Sequence, residues 1–306
     1  MITYNRILAV VQPDTTEQPA LCRAVEIAGK TGATIDAILV VYDHSYDMTT
    51  MLTRAEREAM RQAVIKEREE WLTTHFTKFE KNDINLHVVW SDTRYEAIIA
   101  FAIKNDIDIV IKATRNHNDL TSVIFTPTDW HLLRKCPMPI LLVKEHAWPE
   151  HGNIVATVNV GTEDKTHALL NDKVTTIAKD YADLLSGQVH LVNAFPSTPL
   201  NIAIEIPDFN PETYYDSVRN HHLQNMEAHS AKFGISMTNC HVMEGLPENV
   251  VKQVTKNLDA ELVVIGTVGR TGLSAAFIGN TAEQVIDNIN CDVLAIKPDG
   301  FVSPVH

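Results

Sequence analysis

The sequence predicts an α/β fold built twice. Three observations carry this. The chain of 306 residues is long enough for two domains. Short, nearly continuous aliphatic runs alternate with amphipathic helical patterns. The order β-α-β-α-β-α-β-α-β then appears once in each half. Runs such as Asn5–Val11 and Asn153–Val158 are apolar at nearly every position. That pattern suits strands covered on both faces of a parallel sheet. Each half is therefore expected to be a Rossmann-like unit with a five-stranded parallel sheet flanked by helices. The expected domains are 1–147 and 152–306, joined by a linker at about Glu145–Gly152.

The elements pair off in order. Opening helices are expected at Pro19–Lys30 and Ala168–Leu185, and second strands at Thr34–Tyr42 and Gln188–Phe195. Long helices follow at about Thr53–Lys81 and Pro211–Phe233, the latter with proline where a helix can begin. Third strands are expected at Asn85–Trp90 and Asn239–Met243. Helices near Glu96–Lys104 and Pro247–Lys256 lead to Asp106–Lys112 and Asp259–Gly266, and Pro139–Lys144 and Asp292–Lys297 close the halves. Lys112 and Gly266, and Phe125 and Gly279, lie 154 positions apart, so they are read as equivalent.

Composition excludes several classes. A net charge of −13 argues against nucleic-acid or anionic-membrane surfaces. No run of 18 apolar residues is long enough to span a bilayer, and the N-terminus lacks the pattern of a secretory signal. Cys22, Cys136, Cys240 and Cys291 are far apart, which suggests buried or half-buried thiols rather than a disulfide framework or zinc knuckle. The expected location is the cytoplasm.

The chemistry-bearing stretch follows the fourth strand of the second half, GTVGRTGLSAAFIGNTAEQVI. Gly266, Gly269 and Gly279 give a G-x2-G-x9-G spacing in a strand-to-helix connection. Glycines let backbone N–H groups approach a phosphate, and the helix beginning near Asn280 adds its N-terminal field. Asn280 and Thr281 suit a helix start. Arg270 is placed to reach a phosphate or to stand in solvent.

This spacing resembles the ATP-binding signature of the universal stress protein family. The resemblance covers nearly the whole chain as two tandem domains and includes IFTPTDWHLLRKCP (Ile124–Pro137). It implies an adenine-nucleotide-hydrolase-like fold and a cytoplasmic role in surviving starvation, oxidative or DNA-damaging stress. It also implies pairing of the two domains within one chain through their last strands, with further homodimerisation open. The nucleotide site would comprise Asn159, Gly266, Gly269, Arg270, Gly279, Asn280 and Thr281, taking ATP or another adenine nucleotide with Mg²⁺ in the second half only. Nucleotide-binding members carry Ser or Thr after the last glycine, where this chain has Asn280. They carry an adenine-reading Asp at the end of the first strand, where it has Gln12 and Asn159. In the first half the glycines are gone, with Lys112, Arg115 and Phe125 in their places, and Phe125 is expected to obstruct the loop.

Three functions stay open: a regulatory protein sensing an adenine nucleotide, a binder of a hydrophobic or acyl small molecule, and a weak ATPase. For the second, the long Phe195–Tyr215 segment and its counterpart Tyr42–Leu52 would roof an apolar pocket, or simply pack on the protein. For the third, Glu283 and Asp287 are the nearest carboxylates to the loop, a turn or more inside its helix. No nucleophile elbow, P-loop or zinc-protease motif is present, so no catalytic residues are expected. His222 and His229 share a helical face with Met226 but lack a spaced third ligand, so no metal site is expected either. His117 and His131 are read as surface or capping residues.

Overall fold

The computed structural model describes residues 3–13, 15, 17–48, 52–76, 79, 83–116, 123–144, 146–198, 209–267 and 280–305. The chain forms two compact units, one made mainly of Thr3–Arg115 and Phe125–Ala147, the other mainly of Trp148–Val302.

In the N-terminal unit the elements are β1 (Arg6–Val10), α1 (Pro19–Thr31), β2 (Thr34–Val41), α2 (Ser45–Met48), α3 (Arg54–His75), β3 (Ile84–Trp90), α4 (Arg94–Lys104), β4 (Ile109–Ala113), α5 (Pro127–Lys135) and β5 (Ile140–Val143). The C-terminal unit has β6 (Asn153–Thr157), α6 (Lys165–Leu185), β7 (Gln188–Phe195), α7 (Pro211–Phe233), β8 (Cys240–Glu244), α8 (Pro247–Leu258), β9 (Ala260–Gly266), α9 (Asn280–Asn288) and β10 (Asp292–Ile296). Strand order is β3-β2-β1-β4-β5 in the first and β8-β7-β6-β9-β10 in the second. All these pairings are parallel. The expected pair of five-stranded parallel sheets is therefore present.

The aliphatic runs make the cores. Ile7, Leu8, Ala9, Val110 and Ile111 are fully buried in one unit, and Ile154, Val155, Ala156, Val263 and Val264 in the other. Helix ends follow local chemistry. Pro19 opens α1 and Gly32 closes it at φ 77°, a left-handed conformation that glycine adopts without strain. A reciprocal Thr53–Glu56 cap starts α3. That helix stops at His75, short of the expected Lys81, where Phe76 turns off the helix and packs against Trp71 and Phe79. Helix α6 starts at Lys165, three residues before the expected Ala168, because Asp164 accepts the Thr166 and His167 N–H groups (2.7 and 3.2 Å). Those bonds, His167 foremost, hold the Asp164 carboxyl below its usual range.

The pairing corrects the repeat register by one residue. Ala113 opposes Val143 on β5, and Gly266 opposes Ile296 on β10. Thr114 and Thr267 repeat the same two hydrogen bonds, from N–H and hydroxyl, to the carbonyls of Val143 and Ile296. Helix α5 begins at Pro127 and α9 at Asn280, so Thr126 and Gly279 are the residues that precede them. The offset here is thus 153, and Ala113 and Thr126, not Lys112 and Phe125, match Gly266 and Gly279. The closing strands Pro139–Lys144 and Asp292–Lys297 already carry this offset in the sequence, and the hydrogen-bond ladder extends it to the ends of β4 and β9.

Cys136 and Cys291 are buried and Cys240 half-buried, but Cys22 is exposed. Among the described residues no helix is long and apolar enough to cross a membrane.

Candidate functional site

In an open parallel sheet, ligands bind beyond the carboxyl ends of the strands where the chain departs in opposite directions. That point lies at β1 and β4 in one unit and at β6 and β9 in the other, since β1 sits between β2 and β4 and β6 between β7 and β9.

In the C-terminal unit the point is framed by Asn159 and Gly266. Asn159 is exposed just past β6. Its backbone is gripped by the Asn171 side chain of α6, which accepts the Asn159 N–H (3.0 Å) and donates to its carbonyl (2.8 Å). Gly266 ends β9, and a Cβ there would lie 2.5 Å from Leu170 Cδ2 and 2.7 Å from Leu170 Cγ. The absence of a side chain at Gly266 is therefore already required by packing against α6. Thr281 is exposed in the first turn of α9, which begins at Asn280. Gly269, Arg270 and Gly279 lie outside the described residues.

The N-terminal unit fills the corresponding point with its own groups. Gln18 grips the backbone of Gln12 as Asn171 grips Asn159, with bonds of 3.0 and 2.8 Å. Gln12 Nε2 donates to the Ala113 carbonyl (3.4 Å). Lys112 carries its ammonium to within 2.6 Å of Asp129 Oδ1, and Asp129 has no exposed surface. Asp129 Oδ2 in turn accepts from the Thr126 N–H (2.6 Å) and hydroxyl (2.7 Å). The start of α5 is thereby capped by an internal carboxylate, which is already neutralised by Lys112. Phe125 packs on Trp130, with centroids 5.4 Å apart. It stands next to the cap rather than on it.

The histidines are engaged separately. His222 Nδ1 faces Asn193 Nδ2 at 2.9 Å, while His229 Nε2 bonds the Thr175 hydroxyl at 2.8 Å, and Met226 between them is buried. Thr175, His229 and Asp172 line up like a nucleophile, base and orienting acid. However, Thr175 has no exposed surface, so no substrate reaches it. Among the described residues no group of three His, Cys, Asp or Glu side chains is arranged to hold a metal ion. His131 stacks on Tyr95 (4.1 Å), and burial together with Lys135 and Arg134 pushes its pKa down. His117 lies outside the described residues. Burial and then Glu283 push the Asp287 carboxyl up.

Residues 199–208, which include the apolar stretch expected to roof a pocket, also lie outside the described residues. The neighbouring Thr198, Pro211, Glu212, Tyr215 and Asp216 line a cleft of about 370 Å³. Among the described residues its lining includes two carboxylates, Glu212 and Asp216.

The structure places Asn159 and Gly266 at the ends of β6 and β9, where the sequence put them, and adds Asp129, Gln18, Asn171, Asn193 and Asn225, which the sequence did not single out. Asn193 and Asn225 reach their partners across 33 and 65 positions. No local periodicity marks such contacts.

Comparison with known proteins agrees with this architecture. The model of the universal stress protein family matches residues 3–144 and again 160–297. Universal stress protein E of Escherichia coli K12 is 48 % identical over 310 aligned positions, covering 100 % of this chain and 98 % of that one. The universal stress protein E homolog of Haemophilus influenzae is 43 % identical, covering 96 % and 98 %. Among solved structures, a functionally unknown protein from Pseudomonas aeruginosa PAO1 superposes with a TM-score of 0.72 at 31 % identity, covering 97 % of this chain and 94 % of that one. A universal stress protein from Archaeoglobus fulgidus gives a TM-score of 0.62 at 15 % identity over 97 % of each chain, a likeness of fold alone. With two matches to one family model and full-length relatives near half identity, the chain belongs to the universal stress protein family, as two tandem domains.

Proposed function

We propose that this chain is a non-catalytic stress-response protein that holds an adenine nucleotide in its C-terminal unit alone. The contrast between the two switch points carries the reading. In the N-terminal unit the buried Lys112–Asp129 pair supplies both charges of an anion site from within the chain. At the equivalent point of the C-terminal unit, β9 ends in Gly266 and leads into the glycine-bearing connection to α9.

The groups present fit a nucleotide better than a resident metal. Asn159 and Thr281 are exposed polar residues at the strand end and helix start. Mg²⁺ would arrive on the phosphates, with Arg270 offering a positive charge to them. Asn159 takes the adenine-facing place through its side chain, its backbone being held by Asn171.

Calorimetry with ATP and Mg²⁺ on the full chain tests this. Saturable binding is expected, weakened about a hundredfold (about 2.8 kcal/mol) by Gly279→Phe, which blocks backbone approach at the start of α9. Failure of the unaltered protein to bind would contradict the reading.

A further inference from the structure

The loop between β6 and α6 is held by two amide side chains from elsewhere in the C-terminal unit. Asn193 on β7 accepts the Val160 N–H through Oδ1 (3.0 Å). Asn225 on α7 donates to the Val160 carbonyl through Nδ2 (3.0 Å). These bonds fix which end of each amide faces which neighbour. Asn193 Nδ2 is left 2.9 Å from His222 Nδ1. A donor facing a ring nitrogen at that distance needs a lone pair there, so Nδ1 carries no proton. Asn225 Nδ2 lies 3.1 Å from His221 Nε2, which must accept in the same way.

His222 has no room to turn away. It is 8 % exposed, stacks on Phe195 with centroids 5.6 Å apart, and occupies the space where a Cβ on Gly161 would stand. A second histidine contact braces the same strand. His190 on β7 and His241 on β8 meet Nδ1 to Nε2 at 3.2 Å, which requires one ring to donate and the other to accept.

We infer that the β6–α6 loop is a latch released by acid: protonation of His222 turns an acceptor into a donor facing the Asn193 donor and frees the Val160 N–H. Two protons on the His190–His241 pair would break that contact as well and loosen β7 against β8.

The surroundings offer the charged rings little relief. His222 faces Asn193 and Phe195 from β7, Gly161 from the loop and His221 from its own helix. His190 lies beside Val155 of β6. Helix α8, packed on β7 and β8, buries Val250, Val251, Val254 and Thr255. Its charged residues are Glu248 in the first turn and the exposed Lys252 and Lys256. Among the described residues, no carboxylate is paired with His190, His221, His222 or His241, whereas His229 has Asp172 at 3.8 Å, itself bound by Lys232 at 2.6 Å. The Thr175 hydroxyl opposite His229 serves as donor or acceptor, so that ring tolerates a proton.

Burial, and then His221, hold the His222 pKa below the ordinary value; burial lowers His190, with His241 adding to it, and lowers His241. A released ring takes up its proton at about 6.5, before the latched ring does. The closed loop is therefore fully favoured above that pH and loses ground as pH falls through the latched-state value.

Hydrogen exchange on the full chain, corrected for intrinsic rates, tests the latch. Between about pH 7.5 and about pH 5, protection of 158–164 is expected to fall about tenfold or more, while β1 and β4 keep theirs. His222→Gln, whose carbonyl still accepts from Asn193, should remove that fall. Asn193→Asp puts an acceptor against the protonated ring while still accepting from the Val160 N–H, so acid should no longer release the loop and 158–164 should stay protected at about pH 5. Constant protection across the range, or an equal fall in His222→Gln, would overturn the latch.

Discussion

Asp129→Asn is expected to destabilise the N-terminal unit by about 3–5 kcal/mol, the range for removing one partner of a buried ion pair. The substitution keeps the shape and leaves an oxygen for the Thr126 N–H, so the loss isolates the charge. Lys112 would be left with a buried ammonium that, among the described residues, keeps the Ala113 carbonyl at 3.1 Å. Adding Lys112→Met removes the stranded charge and should recover most of the stability, because an apolar chain of that length suits a site between buried strands. Denaturant unfolding followed by tryptophan fluorescence reads this well. Trp71, Trp90 and Trp130 lie in the affected unit, and Trp130 is next to Asp129. A cost under about 1 kcal/mol would mean that the pair behaves as a solvated one and does not seal the N-terminal switch point.

Gly266→Val is the second large effect, at about 3 kcal/mol, the upper part of the overpacking range. The contact behind it is with Leu170 Cγ as well as its methyl, so the leucine cannot relieve it by swinging one tip. Leu170→Ala alone should cost about 2–5 kcal/mol as a large-to-small core change. Combined, the two should cost less than the singles added together, since truncating Leu170 vacates the space that a valine in place of Gly266 needs. Thermal unfolding of the four proteins measures the coupling. Additive costs would show that Gly266 is not kept small by α6. Nucleotide affinity of the double variant then separates packing at Gly266 from any role in ligand approach.

Much of this architecture was legible because it rests on local rules. Strands covered on both faces must be apolar throughout, so Arg6–Val10 and Asn153–Thr157 stood out. Pro211 and Gly234 bounded α7 where proline and glycine favour a start and a stop. The repeat itself was visible, but its register was off by one at Lys112 and Phe125, although the closing strands already carry the correct offset in the sequence. The site was half legible. Glycine spacing marked the end of β9, yet the same glycine turned out to be demanded by Leu170, which lies 96 positions earlier. The charge balance at the N-terminal switch point was hidden for a similar reason. Lys112 reads as one more lysine at a strand end until α5 folds back and brings Asp129 to it. The histidines of α7 lack a spaced third ligand, as the sequence indicated, but nothing local marked the amides that His222 and His221 face, Asn193 and Asn225.

The most direct test of the division of labour between the two units is a hydrogen-exchange footprint of the full chain with and without ATP and Mg²⁺. Added protection is expected in the C-terminal unit at 153–164, at 260–267 and in the first turn of α9, with the ends of β1 and β4 unchanged. Protection appearing instead at 6–13 and 109–116 of the N-terminal unit, or nowhere, would contradict the account.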